Sequence, residues 1–273
     1  MSQIPKPPLS REKAFELLLN DLPTYSRHCL KIRDKMGRIV PLVYNKAQLY
    51  VHHKLEEQKK KLGFIRAVVM KGRQEGVTTY IESRFFKKTS LQRGVSTFIL
   101  SHEATSTASI FDMVKRFNDN LPCGMSVGLD TANKNQLKFT GLDSEYKVGT
   151  AGSEDVGRSL TIKLLHCSEV AFYAHTDQLE TGLFQAVADM PDTEIILEST
   201  ANGLGNFFYE AAMRAMAGIG LYQLIFVPWY WQEEYRLTPP MGFAPDEQEQ
   251  ELMAAYGLDI EQVYWRRMKI ENT

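Results

Sequence analysis

Residues 64 to 81, FIRAVVMKGRQEGVTTYI, set an apolar β-branched run, a glycine-bearing turn and a helix-forming segment in immediate succession. Ile65, Val68 and Val69 favour a short buried strand, Lys71 to Gly76 interrupt it, and helical character resumes at Val77. Strand, glycine loop and helix is the arrangement of a phosphate-binding loop. Free backbone N–H groups at a helix start, with the positive end of the helix dipole, attract anionic oxygens. Thr78 and Thr79 stand where a hydroxyl can ligate a Mg²⁺ shared with those phosphates.

Against the pattern G-x-x-x-x-G-K-[ST], the loop departs at two positions. Lys71 stands in place of the first Gly, and Val77 in place of the Lys before Thr78. A triphosphate needs positive charge near its outer phosphates, and Val77 supplies none. Arg73 is the expected substitute, its guanidinium able to grip phosphate oxygens bidentately. Taken alone, the stretch also fits a βα turn in which Gly76 only makes a bend.

A chain of 273 residues suits one large α/β domain, or one domain with a small appendage, and is ample for a sizeable core. The net charge of −1 argues against a globally basic nucleic-acid binder, so any DNA contact must use a local patch. No run of eighteen apolar residues occurs and MSQIPKPPLS does not resemble a signal peptide, which predicts a cytosolic protein. Cys29, Cys123 and Cys167 match no metal spacing, and the adjacent His52 and His53 point apart on a helix, so no zinc site is expected.

Along the chain, Ser10 is expected to cap a helix through Leu19, whose run ends near Pro23, and residues 29 to 44 to form a hairpin around Gly37. Asn45 should cap a helix that Gly63 closes; Gln48, near its start, can read an adenine edge or be a surface residue. A helix to about Gln92, a strand from Val95 to Leu100 and a helix from Glu103 to about Asn118 follow. Such alternation predicts a mostly parallel sheet. Residues 124 to 151 read as an antiparallel β excursion, followed by a glycine-rich return carrying Arg158.

The strand from 160 to 167 ends in Ser168 and Glu169, which the topology places at the ligand edge of the sheet. A carboxylate there can orient an attacking water, although a Glu that simply ends a strand in solvent fits as well. A helix around Asp177 to Ala188, a strand Glu194 to Glu198, the turn Ser199 to Gly203 and a helix through Ala217 come next. Thr200 and Asn202 can sense a γ-phosphate, or belong to a plain βα turn. A last strand, Leu221 to Val227, precedes the aromatic group Trp229, Tyr230, Trp231 and Tyr235, for which packing is favoured over base stacking. Residues 246 to 270 read as helical.

The ordered series Gln48, then Arg73-Gln74-Glu75-Gly76-Val77-Thr78-Thr79, then Ser168-Glu169, then Ser199 to Gly203 resembles the large subunit of tailed-phage terminases, the ATP-driven motors that package DNA. The resemblance runs from about Lys31 to the end. It implies a three-layer α/β P-loop NTPase fold of the ASCE type with a mostly parallel sheet, an antiparallel β excursion and a small carboxy-terminal helical region. It divides the chain into an arm and helix (1–30), an ATPase core (31–228) and a linker or lid (229–273). The family's nuclease domain would follow the last residue, so DNA cutting is not expected of this chain.

By that resemblance Gln48 reads adenine; Arg73, Gln74, Gly76, Val77, Thr78 and Thr79 form the phosphate loop; and Thr78 ligates Mg²⁺ with Ser168 acting through water. Glu169 is the catalytic carboxylate, Arg158 the arginine inserted into a neighbour's site, and Thr200, Asn202 and Gly203 the coupling motif. The implied ligands are ATP and Mg²⁺. The implied partners are double-stranded DNA, the portal of the procapsid, the terminase small subunit and further copies of the chain in a ring, five when assembled, within the host cytoplasm. Two rivals stay open: a helicase-like translocase, and a nucleotide-binding scaffold without hydrolysis, the latter motivated by Val77 and Ser168.

Overall fold

The computed structural model of the chain describes residues 10–152, 161–174, 176 and 182–272. Its organising element is an eight-stranded sheet built outward from the apolar run that leads into the glycine loop. That run is β3 (Ile65–Lys71), and it enters α4 (Val77–Leu91) through the loop. Before it, α3 (Lys46–Leu62) opens on a capping box between Asn45 and Gln48 and closes on Gly63 in the left-handed conformation that glycine adopts freely.

Six strands run parallel in the order β10 (Gln223–Val227), β3, β9 (Glu194–Ser199), β8 (Leu164–Ser168), β4 (Ser96–Ser101) and β7 (Ser144–Thr150). Beyond β7 the sheet continues antiparallel through β6 (Gln136–Phe139) and β5 (Leu129–Ala132). The β excursion is therefore the far edge of the main sheet, because β7 pairs directly with β4.

The central strands β3, β9 and β8 are buried almost throughout, as strands covered on both faces must be. One face carries Ala67, Val69, Leu164 and Ile196 against α3, α4 and α5 (Ala104–Asp119). The other carries Val68, Leu165, Cys167 and Leu197 against α6 (Phe207–Met216) and the short turns that follow β8. The result is the expected three-layer α/β arrangement.

Four local expectations meet the structure in different ways. The helix expected from Ser10 through Leu19 is α1 (Arg11–Asn20), but Pro23 is not what ends it: Asp21 follows α1, and its side chain caps a second helix, α2 (Leu22–Cys29), with Pro23 in its first turn where no N–H partner is needed. Within the segment expected as a helix from 177 to 188, the described residues hold a short 3₁₀ turn, Phe184–Ala186, and no α-helix. The last helical stretch splits at left-handed Gly257 into α7 (Glu247–Tyr256) and α8 (Ile260–Glu271). The hairpin expected near Gly37 is present, as β1 (Lys31–Arg33) against β2 (Ile39–Pro41).

The aromatic group after β10 packs internally. Trp265 of α8 stacks on both Trp229 and Tyr235, with ring centroids 5.3 and 4.1 Å away. No helix among the described residues is long and apolar enough to cross a membrane.

Candidate active site

Because β3, β9 and β8 are parallel neighbours, their carboxyl ends deliver Lys71, Glu198 with Ser199, and Ser168 with Glu169 to one edge of the sheet. Helix α4 begins at that same edge. Its N-cap Gly76 has φ +74° and offers no side-chain cap, so the first-turn N–H groups face the edge with the helix dipole behind them. A Cβ on Gly76 would lie 2.8 Å from the Gln48 amide nitrogen, so glycine is needed there for space as well as for backbone geometry.

Lys71 is the cation at this edge. Its ammonium is 3.0 Å from Glu169 Oε1 and 3.4 Å from Glu198 Oε2, and its side chain is 6% exposed. Burial pulls its pKa down, but the carboxylates of Glu198 and Glu169 outweigh that and hold it above the ordinary lysine value. Arg73, the expected cation, lies exposed in the loop. The sequence pattern marked Lys71 only as a departure from glycine. A charged residue ending an otherwise apolar strand was the signal that could have identified it.

Glu198 was also missed. It is fully buried at the end of β9, where its Oε1 accepts from the Thr78 hydroxyl at 2.5 Å and the Ser168 hydroxyl at 2.9 Å. His166, buried two residues before Ser168, places Nε2 3.5 Å from the same oxygen and Nδ1 2.6 Å from Glu82 Oε1. Burial raises the Glu198 pKa, and Lys71 with His166 outweigh it, bringing the value down to about 2. His166 is held up to about 9 by Glu198 and Glu82 against the opposing effect of burial.

Glu169 has φ +58°, a left-handed conformation uncommon for a residue with a side chain. Its Oε2 stands 3.5 Å from the hydroxyls of Ser199 and Thr200. Asn202 donates to the carbonyl of Ala171 just beyond Glu169 at 3.1 Å, and Gly203 lies exposed in the same turn.

The remaining loop residues are held by their backbones. The Arg73 carbonyl accepts from the Tyr235 hydroxyl at 2.6 Å, and the Gln74 carbonyl from the Gln232 amide at 2.7 Å. The Gln74 side chain accepts from Lys35 at 3.0 Å. Val77 is buried in the core and Thr79 is half-buried. Gln48 reaches the loop, but its amide is engaged there: Oε1 accepts from the Asn45 N–H, and Nε2 donates to the Gly76 carbonyl at 2.8 Å. One N–H and one lone pair remain for another partner. Arg158 lies outside the described residues. Among the described residues no three His, Cys, Asp or Glu side chains group to hold a metal.

No family model matches the chain. Among solved structures it is similar to the HK97 bacteriophage large terminase, with a TM-score of 0.65 and 14% identity over 97% of this chain and 52% of that one. It is similar to the ATPase domain of the Thermus phage P74-26 large terminase, with a TM-score of 0.51 and 15% identity over 81% of this chain and 90% of that one. A large terminase from a thermophilic bacteriophage, solved in complex with ATP-gamma-S, aligns with a TM-score of 0.51 and 10% identity over 80% of this chain and 51% of that one. The chain spans about half the length of the HK97 protein and of that thermophilic-phage protein. With its mostly parallel sheet and helical layers superposing on these proteins, the chain has the fold of the bacteriophage large-terminase ATPase domain.

Proposed function

We propose that this chain hydrolyses ATP as the motor domain of a phage DNA-packaging enzyme, driving double-stranded DNA into a procapsid. What carries the proposal is the convergence of Lys71, Thr78 and Glu169 at the carboxyl edge of parallel strands, beside a helix start with uncapped N–H groups. Such an edge binds and reacts phosphates by position and charge alone. The thermophilic-phage terminase in complex with ATP-gamma-S supports a nucleotide as the ligand.

The first-turn N–H groups of α4, from Val77 onward, receive the phosphate oxygens. Lys71 neutralises them by exchanging Glu169 for a phosphate, which leaves the Glu169 carboxylate free to orient the attacking water. Arg73, from the exposed rim, adds a bidentate contact. Gln48 offers its spare N–H and lone pair to adenine. Thr200, 3.5 Å from Glu169, and Asn202, tied to Ala171, link the state of that carboxylate to the turn ending at Gly203. Arg158 acts in a neighbouring subunit, an arrangement worth about 10³ to 10⁵ in rate where it operates. The assembly is a ring of copies on the portal, five when complete, served by the small subunit in the host cytoplasm. Residues 31–228 form the motor core and 229–273 its linker.

The site fits a magnesium ion. Glu198 Oε2 is fully buried with no hydrogen-bond partner among the described residues, while the Thr78 hydroxyl donates to Oε1 of the same carboxylate. Thr78 would hold Mg²⁺ directly, with the joined Ser168 and Glu198 side chains behind its water shell, and the ion would supply positive charge to the outer phosphates.

Titration calorimetry of ATP with Mg²⁺ tests this reading on wild type, Lys71→Met and Arg73→Ala. Binding by wild type, abolished in Lys71→Met and weakened in Arg73→Ala, is the expected pattern, followed by turnover that rises with portal and DNA. A wild type that binds no ATP removes the reading.

A further inference from the structure

In the ordinary phosphate-loop site an Asp that precedes the catalytic Glu at a strand end holds the magnesium together with the loop hydroxyl. Here that position is Ser168, a neutral hydroxyl. Ser168 lies in register with Glu198 on the parallel neighbour β9, so their side chains share the face that looks toward α4. The missing charge is thus present one strand over. We infer that Glu198 is the carboxylate that holds the magnesium shell in this chain, with Ser168 reduced to a donor that fixes it; the inference rests on the ATP reading above.

Three observations support it. Thr78, the hydroxyl at the helix start, donates directly to Glu198 Oε1 and makes no such contact with Ser168. Oε1 is oriented from behind by Ser168 and by His166, which Glu82 grips through Nδ1 at 2.6 Å and which Tyr146 backs through its hydroxyl on Glu82. Among the described residues, Oε2 is left with no hydrogen bond and only the Lys71 ammonium at 3.4 Å. A buried carboxylate oxygen without a hydrogen bond is costly unless a ligand completes it.

Charge balance points the same way. If Lys71 moves to a phosphate, Glu198 keeps only the more distant His166 as a buried cationic neighbour among the described residues. A divalent cation reaching Oε2 at that moment restores the balance, and Mg²⁺ is commonly bound through one or two carboxylates together with substrate phosphates.

The test is ATP affinity by titration calorimetry, in excess Mg²⁺ and in EDTA, for wild type, Glu198→Gln and Ser168→Ala. Wild type should gain about 10- to 100-fold from Mg²⁺, a coupling of ordinary size. Glu198→Gln, which keeps the shape and the Oε1 acceptor, should lose all but about threefold of the gain, read as the ratio of its own affinities in Mg²⁺ and in EDTA. Ser168→Ala should keep most of the gain. If Glu198→Gln keeps the full gain, or Ser168→Ala alone abolishes it, the inference is overturned while the ATP reading stands. A wild type that binds no ATP under either condition overturns both. Should circular dichroism show Glu198→Gln unfolded, Glu198→Asp keeps the charge but withdraws it by one methylene; it should lose the gain, and retention would sink the inference.

Discussion

Glu194 and Glu198 stand on the same face of β9, one at each end, both fully buried and both turned toward α4. Their surroundings differ. Glu194 is gripped through both oxygens by Arg84, at 2.7 and 3.0 Å, and also by Lys88, so both of its oxygens are partnered. Glu198 has two hydroxyl donors on one oxygen and, among the described residues, no hydrogen bond on the other. Both carboxyls are held down to about 2, Glu194 by Arg84 and Lys88 and Glu198 chiefly by Lys71, in each case against the opposing effect of burial. Acidity therefore does not separate them; completeness of partnering does. At the amino edge of the sheet the buried charge is a closed structural cluster, and at the carboxyl edge it is open on the side of the loop.

Five substitutions sharpen or break that contrast. Glu194→Ala leaves Arg84 buried with Glu56 as its one carboxylate partner among the described residues and should cost about 3–5 kcal/mol in urea unfolding, with ATP affinity of the folded fraction unchanged. Its pH signature follows from sign. The folded pKa is depressed, so its contribution is complete above about pH 4.5 and is lost as the pH falls toward 2. Urea midpoints from pH 6 to 3 should fall more steeply in wild type than in Glu194→Gln. Glu198→Gln should cost less, about 1–3 kcal/mol, because Lys71 keeps Glu169. Equal losses at the two glutamates would erase the distinction.

Gly76→Ala forces a side chain into a left-handed position, at about 1–2 kcal/mol. It also displaces the Gln48 amide, so ATP affinity should drop with stability. Smallest is Tyr235→Phe, which removes one hydrogen bond to the Arg73 carbonyl, about 0.5–1.5 kcal/mol by thermal melting. Unaltered melting there would mean that the carboxy-terminal helices do not brace the loop.

What the sequence disclosed follows the range of the forces involved. The α3 boundaries were legible because Asn45 and Gly63 act on their own neighbours. The strand–loop–helix at 64 to 81 was legible for the same reason. Pro23 misled because proline is excluded from helix interiors but welcome in a first turn, and only the Asp21 cap decides between them. Glu198 was invisible, and Lys71 legible only as a charge ending an apolar strand, because their meaning depends on which strands are neighbours. The Ser168–Glu198 register joins residues 30 apart, and no local periodicity encodes it. Gln48 lies beside the loop, but its capping-box role competes for the same amide atoms that were assigned to adenine.

The loop carbonyls of Arg73 and Gln74 are tied to Tyr235 and Gln232, while the Gln74 side chain is tied to Lys35 in the turn of the β1–β2 hairpin. Lys35 and Glu234 are themselves paired. The loop thus sits under a strap fastened at both ends, one buckle near each end of the chain. Any displacement of the loop backbone pulls on both buckles together, so the hairpin and the carboxy-terminal helices cannot respond to it independently.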